Sequence, residues 1–149
     1  MISPYLNGLF APALVLLVAC GELPPQEDIG QQRSVDDVCE ATHAKVGQTA
    51  TLSTHAHGVS GNARVVDNCT IELTEFHFDG GGVDARMYLA LDGDWETGFP
   101  VSDNLVGDHV FVDETMTLKL PTQRSLDDMN GIALWCIPFA AAFGNGQFN

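Results

Sequence analysis

The chain has 149 residues, which predicts one domain, and its 20 acidic against 6 basic side chains give a net charge of −14. This charge excludes a nucleic-acid-binding protein, because phosphate contacts need clustered cations. It also excludes docking on anionic lipid through a basic patch. A hydrophobic content of 45% excludes a disordered acidic tail, and 15 Gly with 7 Pro indicate a turn-rich β protein.

Residues 1–19 resemble a bacterial lipoprotein signal peptide. The stretch 9–19 is almost wholly apolar, but it is too short to span a membrane, which takes about 20 residues. Ala19 followed by Cys20 resembles a lipobox, which implies cleavage before Cys20 and its acylation, with palmitate among the chains. The alternatives are an ordinary secretory signal or a misplaced start codon, and the missing Lys or Arg before the apolar run departs from the pattern.

This resemblance predicts a location in the bacterial cell envelope, with the lipid as the contact to the membrane. Gly21 stands where an Asp would favour the inner membrane, so we expect the outer membrane, with the protein facing the periplasm or the cell surface.

Residues 20–48 are predicted to carry the lipid, a tether and a short helix. The segment 21–28 contains a Pro-Pro pair and charges but little to bury, which is typical of an extended linker. Ser34 with Asp37 resembles a capping box, which predicts a short helix that reaches about Thr42.

Residues 49–149 are predicted to form one antiparallel β-sandwich or barrel-like domain. The segments that alternate or are rich in β-branched residues are 51–53, 63–66, 70–74, 86–91, 109–112 and 115–120. In the last segment, Met116, Leu118 and Leu120 would face one way. A turn is expected at Asp113 and Glu114, between the last two segments.

The apolar run 132–143 predicts one or two strands buried on both faces, with Pro138 at a bulge or an edge. Trp135 and Cys136 would then lie in or near the core.

Three cysteines, an odd number, remain once Cys20 is assigned to lipid. Three pairings of Cys39, Cys69 and Cys136 are open, and each leaves one thiol free. We favour a Cys39–Cys69 disulfide, which would staple the N-terminal segment to the sheet. Cys136 would then be a redox thiol, a thiolate ligand to haem or copper, or a buried hydrophobe without chemistry.

Two histidines, His55 and His57, would share one face if their segment were a strand. A metal site there would need a third ligand, for which His77 and His109 are the candidates. The alternative is that these histidines are exposed or hydrogen-bonded side chains.

Five acids crowd two Gly-rich loops. They are Asp79, Asp84, Asp92, Asp94 and Glu96. The alternation from Asp92 to Glu96 resembles a calcium loop, but Thr97 stands where the EF-hand pattern needs Gly, so solvated turn acids are the better interpretation and calcium is a secondary candidate. Hydrolase, phosphate-loop and dinucleotide motifs are absent from the sequence, which predicts a protein that is not a stand-alone enzyme.

A succession of short motifs runs from His57 to Phe148. In chain order they are HGVSG at 57–61, FHFDG at 76–80, GVDARMYL at 82–89, LKLP at 118–121, LWC at 134–136 and FG at 143–144. In order and spacing they resemble the DM-thirteen domain, also called the electron-transfer DM-thirteen family. Val83 departs from the Pro that is usual in the family, and Cys69 is not part of the pattern.

The resemblance implies a compact β domain in which Cys136 takes part in electron transfer, as a bare thiol or as a ligand to a group such as haem. By the same match His57 and Asp84 are candidate site residues, and Trp135 would pack beside the thiol. We therefore predict a lipid-anchored accessory redox module with a redox or cell-surface protein as partner. The alternative is a non-catalytic binding or adhesion module whose acidic Gly-rich loops hold a partner or calcium.

Overall fold

The computed structural model describes residues 39–149, which form an all-β domain. Its strands are β1 (Thr49–Thr54), β2 (Ser60–Asp67), β3 (Thr70–Phe78), β4 (Ala85–Ala90), β5 (Phe99–Pro100), β6 (Phe111–Lys119), β7 (Gly131–Cys136) and β8 (Ala141–Gln147). They make one antiparallel sheet in the order β5-β4-β7-β8-β1-β2-β3-β6, curled into a half-barrel. The all-β antiparallel prediction is confirmed, and the barrel-like alternative describes the sheet better than a sandwich.

The strands follow from alternation that brings apolar side chains to the inner face. In β3, Ile71 and Leu73 are buried, and a bulge at Glu75, with φ of 51°, shifts the phase so that Phe76 and Phe78 are buried as well. A bulge adds one residue to a strand and re-aims the side chains that follow it. The change of period in the sequence therefore marks a bulge within one strand.

Strand β6 also contains a β-bulge, and it corrects one prediction. The expected turn at Asp113 and Glu114 is wrong, because β6 runs unbroken through both residues. Asp113 has φ of 59°, and the pairing with β3 shifts register beside it. Asp tolerates this left-handed conformation better than most residues, so Asp-Glu here produces a bulge. Beyond it, Leu118 is buried and Met116 packs against the core, as the alternation predicted.

Strand β7 is buried at every position, which confirms the prediction for the first part of the apolar run, up to Cys136. Beyond it the prediction of burial is wrong, because Ile137 and Phe139 are exposed. A short 3-10 helix, Ile137–Phe139, joins it to β8. Pro138 lies in this helix, so its predicted place at a bulge or an edge is wrong. A Pro in the first turn of such a helix costs no hydrogen bond, since the N–H that it lacks would have no partner there.

The predicted signal peptide, the lipidated Cys20 and most of the tether lie outside the described residues. The predicted helix begins outside them too, and Cys39 to Thr42 are not helical. Within residues 39–149, no helix has the length and apolar character needed to cross a membrane.

Candidate functional site

Cys136 ends β7 and lies in the core. It pairs with Ala85 on β4 and Ala141 on β8, and its exposed fraction is 0%. The side chains of Ala85 and Ala141 are small, which leaves room for the Cys136 sulfur between them. Its thiol belongs to the main hydrophobic cluster, which contains Ile132 and Leu134 from the same strand face.

Trp135 does not pack beside this thiol on the same face, which corrects that expectation. Successive side chains of a strand point to opposite sides. Trp135 therefore joins a separate small cluster with Ala90, Trp95 and Ala133 on the other face of the sheet. The prediction that Trp135 is buried holds, since 8% of it is exposed.

The surroundings of Cys136 do not fit copper or haem. Among residues 39–149, the groups of three metal-binding side chains that could share an ion do not include Cys136. A copper thiolate site needs histidines beside the sulfur. A haem would need open space at the thiol, where the structure has the packed side chains of the core.

His57 lies in the turn after β1, so the condition for His55 and His57 to share one face, a strand through both, is not met. β1 ends at Thr54, and His57 has φ of 54°, a conformation in which non-glycine residues are uncommon. Its ring packs on Phe143, with centroids 4.3 Å apart, and meets the edge of Phe78 at 6.2 Å.

Asp79 fixes the ring of His57. The Nδ1–H group of His57 donates to the Asp79 carboxylate, with distances of 3.1 and 3.2 Å to its two oxygens. The backbone N–H of Gly81 donates to the same carboxylate at 2.7 Å. This backbone hydrogen bond, followed by the bond and charge of His57, holds the pKa of Asp79 below its usual value of 3.8. The sequence singled out Asp79 only as a turn acid, and its partnership with His57 was missed.

Glycines 80 to 82 let this loop lie against its neighbours. A Cβ on Gly80 would lie 2.5 Å from the His109 carbonyl oxygen, and one on Gly81 would lie 2.7 Å from His57 Nδ1. A Cβ on Gly82 would lie 3.1 Å from the ring of Phe143. The Gly run is therefore required by close packing over the histidine and the phenylalanine.

A cluster of phenylalanines continues inward from His57. Phe78 lies 6.3 Å from Phe143 and 5.9 Å from Phe111, and Phe76 lies 5.3 Å from Phe111. These rings come from three different strands, β3, β6 and β8. Offset and edge-to-face ring pairs add to the stability that burial provides. The Phe-x-Phe spacing was the available signal, but the partners in other strands could not be read from the sequence.

The remaining histidines do not assemble into the predicted metal site. His55 donates to Asn145 Oδ1 at 3.3 Å, His77 to the Glu75 carbonyl at 2.9 Å, and His109 to Glu114 at 2.7 Å. Within residues 39–149, no histidine belongs to a group of three ligands. The premise of a strand at His55 and His57 is wrong, because the chain turns there.

Asp84 forms an ion pair with Arg86. The guanidinium donates to both carboxylate oxygens, with distances of 2.9 and 3.2 Å, and the pair raises the pKa of Arg86. The Asp84 carbonyl accepts the N–H of Ile137 at 3.0 Å. Asp84 therefore lies beside the residue that follows Cys136, with its carboxylate engaged by Arg86.

Two acids of the second Gly-rich loop are held by local hydrogen bonds. Asp92 accepts from Asn130 Nδ2 at 2.7 Å, and Asp94 accepts from Thr97 Oγ1 at 2.6 Å. In the part of the chain that the structure describes, these acids form no three-ligand group. They fit the interpretation as turn acids better than the calcium loop.

Cys39 and Cys69 meet at the turn between β2 and β3. Their sulfurs and a carboxylate oxygen of Asp67 all lie within 4.8 Å of one another, and no disulfide joins the two thiols. Burial, then a hydrogen bond with Cys39, raises the pKa of Cys69 to about 11, and the Asp67 charge adds to the shift. The structure brings together the two cysteines of the favoured pairing, and the disulfide stays a prediction.

An exposed apolar surface adjoins the end of β7. We call Val83, Ile137 and Phe139 the apolar turn; their exposed fractions are 59%, 40% and 68%. Ile137 bonds to Asp84, which follows Val83 in the chain, so the two segments lie side by side. The apolar run 132–143 was predicted to be buried, so the exposure of Ile137 and Phe139 was missed.

The β domain that contains these residues matches a known family over most of its length. The family model described as Electron transfer DM13 matches residues 51–148. The chain belongs to this family. The match includes His57, Asp79 and Cys136 and begins beyond Cys39. Membership in an electron-transfer domain family supports a redox module.

Two Drosophila melanogaster proteins are similar to the chain. They are Protein Skeletor, isoforms B/C, and Protein Skeletor, isoforms D/E, each 30% identical over 95 residues. The aligned part is 60% of this chain but 12% and 6% of the two relatives, so the chain spans a small part of their length. No solved structure matches the chain.

Proposed function

We propose that the chain is an accessory electron-transfer module of the cell envelope, anchored by lipid on Cys20, and that Cys136 is its redox-active residue. The observation that carries this proposal is the position of Cys136: of the two thiols inside the matched region of an electron-transfer family, Cys69 is half-buried and Cys136 is 0% exposed in the core. Membership in the family alone would not assign the role to any residue.

The burial of Cys136 decides which redox reaction it can carry out, thiol–disulfide exchange or electron transfer. A thiolate that attacks a disulfide must be reached by its partner sulfur, and a fully enclosed sulfur cannot be reached in that way. An electron can cross a layer of side chains that a reagent cannot penetrate. The module would therefore exchange single electrons with a partner docked at the surface. An oxidised partner would take one electron and the thiol proton together, which converts the Cys136 thiol to a thiyl radical, and a reduced partner would return both and restore the thiol.

The apolar turn offers the surface for this partner. Ile137 follows Cys136 directly in the chain, and Ile137 and Phe139 are exposed. Exposed apolar side chains grouped together are typical of protein-binding sites. A partner on this surface would lie close to the thiol without entering the core.

The redox role can be tested by protein-film voltammetry of the mature protein. We expect an electrochemical response that Cys136→Ala abolishes and that the matched variant Cys69→Ala retains. Unfolding curves of both variants check that the core has survived. An identical response from wild type and a folded Cys136→Ala variant would refute the role of Cys136.

The lipid anchor has its own test. A Cys20→Ser variant expressed in a bacterial host should move from the membrane fraction to the soluble fraction, because acyl chains on Cys20 hold the wild type. A variant that stays with the membrane would contradict the anchor without affecting the redox proposal.

A second candidate, a binding module without redox chemistry, is favoured by the exposure of the apolar turn. It predicts that Phe139→Asp weakens binding of the envelope partner while Cys136→Ala leaves function intact. The redox proposal predicts loss in both variants. Comparing the two variants in one functional assay therefore separates the candidates.

A further inference from the structure

A second group of potential ligands lies at the turn between β2 and β3, apart from Cys136. The thiols of Cys39 and Cys69 and the carboxylate of Asp67 bring their ligand atoms within 4.8 Å of one another, and all three residues are half-buried. We propose that they form a binding site for one thiophilic divalent cation of the Zn²⁺ type. This site is independent of the electron transfer proposed at Cys136.

Hydrogen bonds from Asn68 position the first ligand. The Asn68 N–H donates to the Glu40 carbonyl at 3.0 Å, and Asn68 Oδ1 accepts from the N–H groups of Thr42 and His43 at 3.2 and 2.9 Å. Asn68 Nδ2 also donates to Thr42 Oγ1 at 2.9 Å. These contacts dock the chain that follows Cys39 onto the turn. Cys39 therefore reaches Cys69 without a covalent bond between the sulfurs.

The other two ligands are held by the turn itself. Asp67 Oδ1 accepts the N–H of Cys69 at 2.8 Å, and the Cys69 carbonyl accepts the N–H of Leu120 at 2.8 Å. The contact through Oδ1 leaves the second oxygen of Asp67 available to a cation. A site assembled before the ion arrives needs little reorganisation to bind it.

The donor set matches zinc in type. Zinc takes Cys sulfur at about 2.3 Å and carboxylate oxygen at about 2.0–2.2 Å, so its ligand atoms in a tetrahedral site lie roughly 3.6–3.8 Å apart, a spacing that the three atoms within 4.8 Å of one another can reach. Three protein ligands leave one tetrahedral position for water. Two thiolates and a carboxylate around a divalent ion keep one negative charge. The ammonium of Lys119 on β6 offsets it: this group donates to Thr70 Oγ1, next to Cys69 in the chain, and its charge favours the Cys69 thiolate.

Asp67 distinguishes this site from the disulfide predicted from the sequence. The two uses exclude each other, since a sulfur in a disulfide is no thiolate ligand. A disulfide gives the Asp67 charge no role, and an Asn could accept the same turn hydrogen bond. A cation uses both the charge and the second oxygen.

Zinc binding by reduced, full-length protein tests the proposal. In competition with a chromogenic chelator, we expect one Zn²⁺ per chain, and Co²⁺ should give a thiolate charge-transfer band. Asp67→Asn keeps the turn acceptor but removes the charge, and it should weaken binding by at least about 10-fold. Cys39→Ser should abolish the cobalt band. The matched control Asp113→Asn, an exposed acid on β6, should bind zinc like the wild type.

Two results would overturn the proposal. The first is zinc binding that survives in both Cys39→Ser and Cys69→Ser, which would place the ion elsewhere. The second is native protein, isolated without reductant and mapped by mass spectrometry, that carries a Cys39–Cys69 crosslink and no zinc. Circular dichroism of each variant establishes that lost binding is not lost folding. None of these outcomes depends on the electrochemistry of Cys136.

Discussion

His57 and Asp79 join two motifs that lie apart in the sequence. The Nδ1 atom of His57 lies 3.1 and 3.2 Å from the two carboxylate oxygens of Asp79. The imidazole ring also packs on the ring of Phe143, with 4.3 Å between the ring centroids. The His-Gly turn after β1 and the Phe-Asp-Gly end of β3 are therefore one structural unit. Its cost is a left-handed backbone at His57, with φ of 54°.

The first prediction concerns the stability of this unit against acid. The folded state lowers the pKa of Asp79, so the charged carboxylate stabilises the fold above its usual value of 3.8, and that contribution is lost as the pH falls through the lowered pKa. Asp79→Asn should lower the free energy of unfolding at neutral pH. The side chain is 56% exposed, so solvent screening keeps the loss below about 1 kcal/mol.

Denaturant unfolding of wild type and Asp79→Asn at neutral and at acidic pH measures this difference. The two proteins should converge at the acidic end, where the wild-type carboxyl is protonated. Asp113→Asn is the control for removing a negative charge from the exposed surface. A difference in unfolding free energy between wild type and Asp79→Asn that stays constant with pH would mean that the charge of Asp79 does not stabilise the fold.

The second prediction concerns Gly80. Its φ is +77°, and an added Cβ would lie 2.5 and 2.6 Å from the backbone oxygens of His109 and Gly107. Gly80→Ala should therefore cost about 2–4 kcal/mol, from backbone strain and from displaced main chain. Gly58→Ala shares the strained φ, +64°, but meets no atom within 4 Å, and it should cost about 1 kcal/mol. Equal losses in chemical denaturation would contradict the close packing.

The third prediction concerns Asn68. Asn68→Ala removes two acceptor contacts and one donor contact of its side chain to the segment around Thr42 and His43. Amide hydrogen exchange at those two residues should accelerate about 5- to 30-fold, since a local opening loses roughly 1–2 kcal/mol.

Asn104→Ala is the matched control, because Asn104 Oδ1 also accepts two backbone N–H groups, from Ala85 and Val106. Its variant should accelerate exchange at Ala85 and Val106 and leave Thr42 unchanged. Unchanged exchange at Thr42 and His43 in Asn68→Ala would show that the segment is held by other contacts.

The fourth prediction concerns the reactivity of the thiols in reduced, metal-free protein. Cys69 is half-buried, and its pKa is raised to about 11, so its alkylation should be slow at neutral pH and accelerate as the pH approaches that value. Cys136 is 0% exposed and should react only when the protein unfolds.

Mass spectrometry of alkylated peptides resolves the sites. In Asp67→Asn the rise of the Cys69 rate should move to lower pH, since one repulsive charge is gone, while Cys136 should not change. Labelling of Cys136 in folded protein at the rate of Cys69 would contradict its burial.

The sequence predicted local features where a single segment contains the cause. Alternating apolar positions predicted β1 to β4, and a continuous apolar run predicted β7, because side-chain periodicity reports which faces are buried. The motifs from His57 to Phe148 were sufficient to identify the family. The bulges at Glu75 and Asp113 defeated the same method, because a left-handed residue reverses the phase of the alternation and looks like a turn.

The candidate site was less predictable, because its contacts join distant segments. Asp79 was one of five loop acids until the fold placed it against His57, and Phe143 gave no sign that it would carry the imidazole ring. The sequence did suggest that Cys39 and Cys69 pair, but it did not add Asp67 to them. That third group depends on how the turn directs its side chains.

Composition, periodicity and motifs by themselves determined an acidic all-β domain of the electron-transfer DM-thirteen family with a single cysteine in its apolar run. The tertiary structure decided that Cys136 and Trp135 face opposite sides of β7, that the residues after them are exposed, and that three ligand atoms meet at the β2–β3 turn. The reason is physical: burial follows local pattern, whereas a contact between segments depends on strand order and register, which a local pattern does not contain.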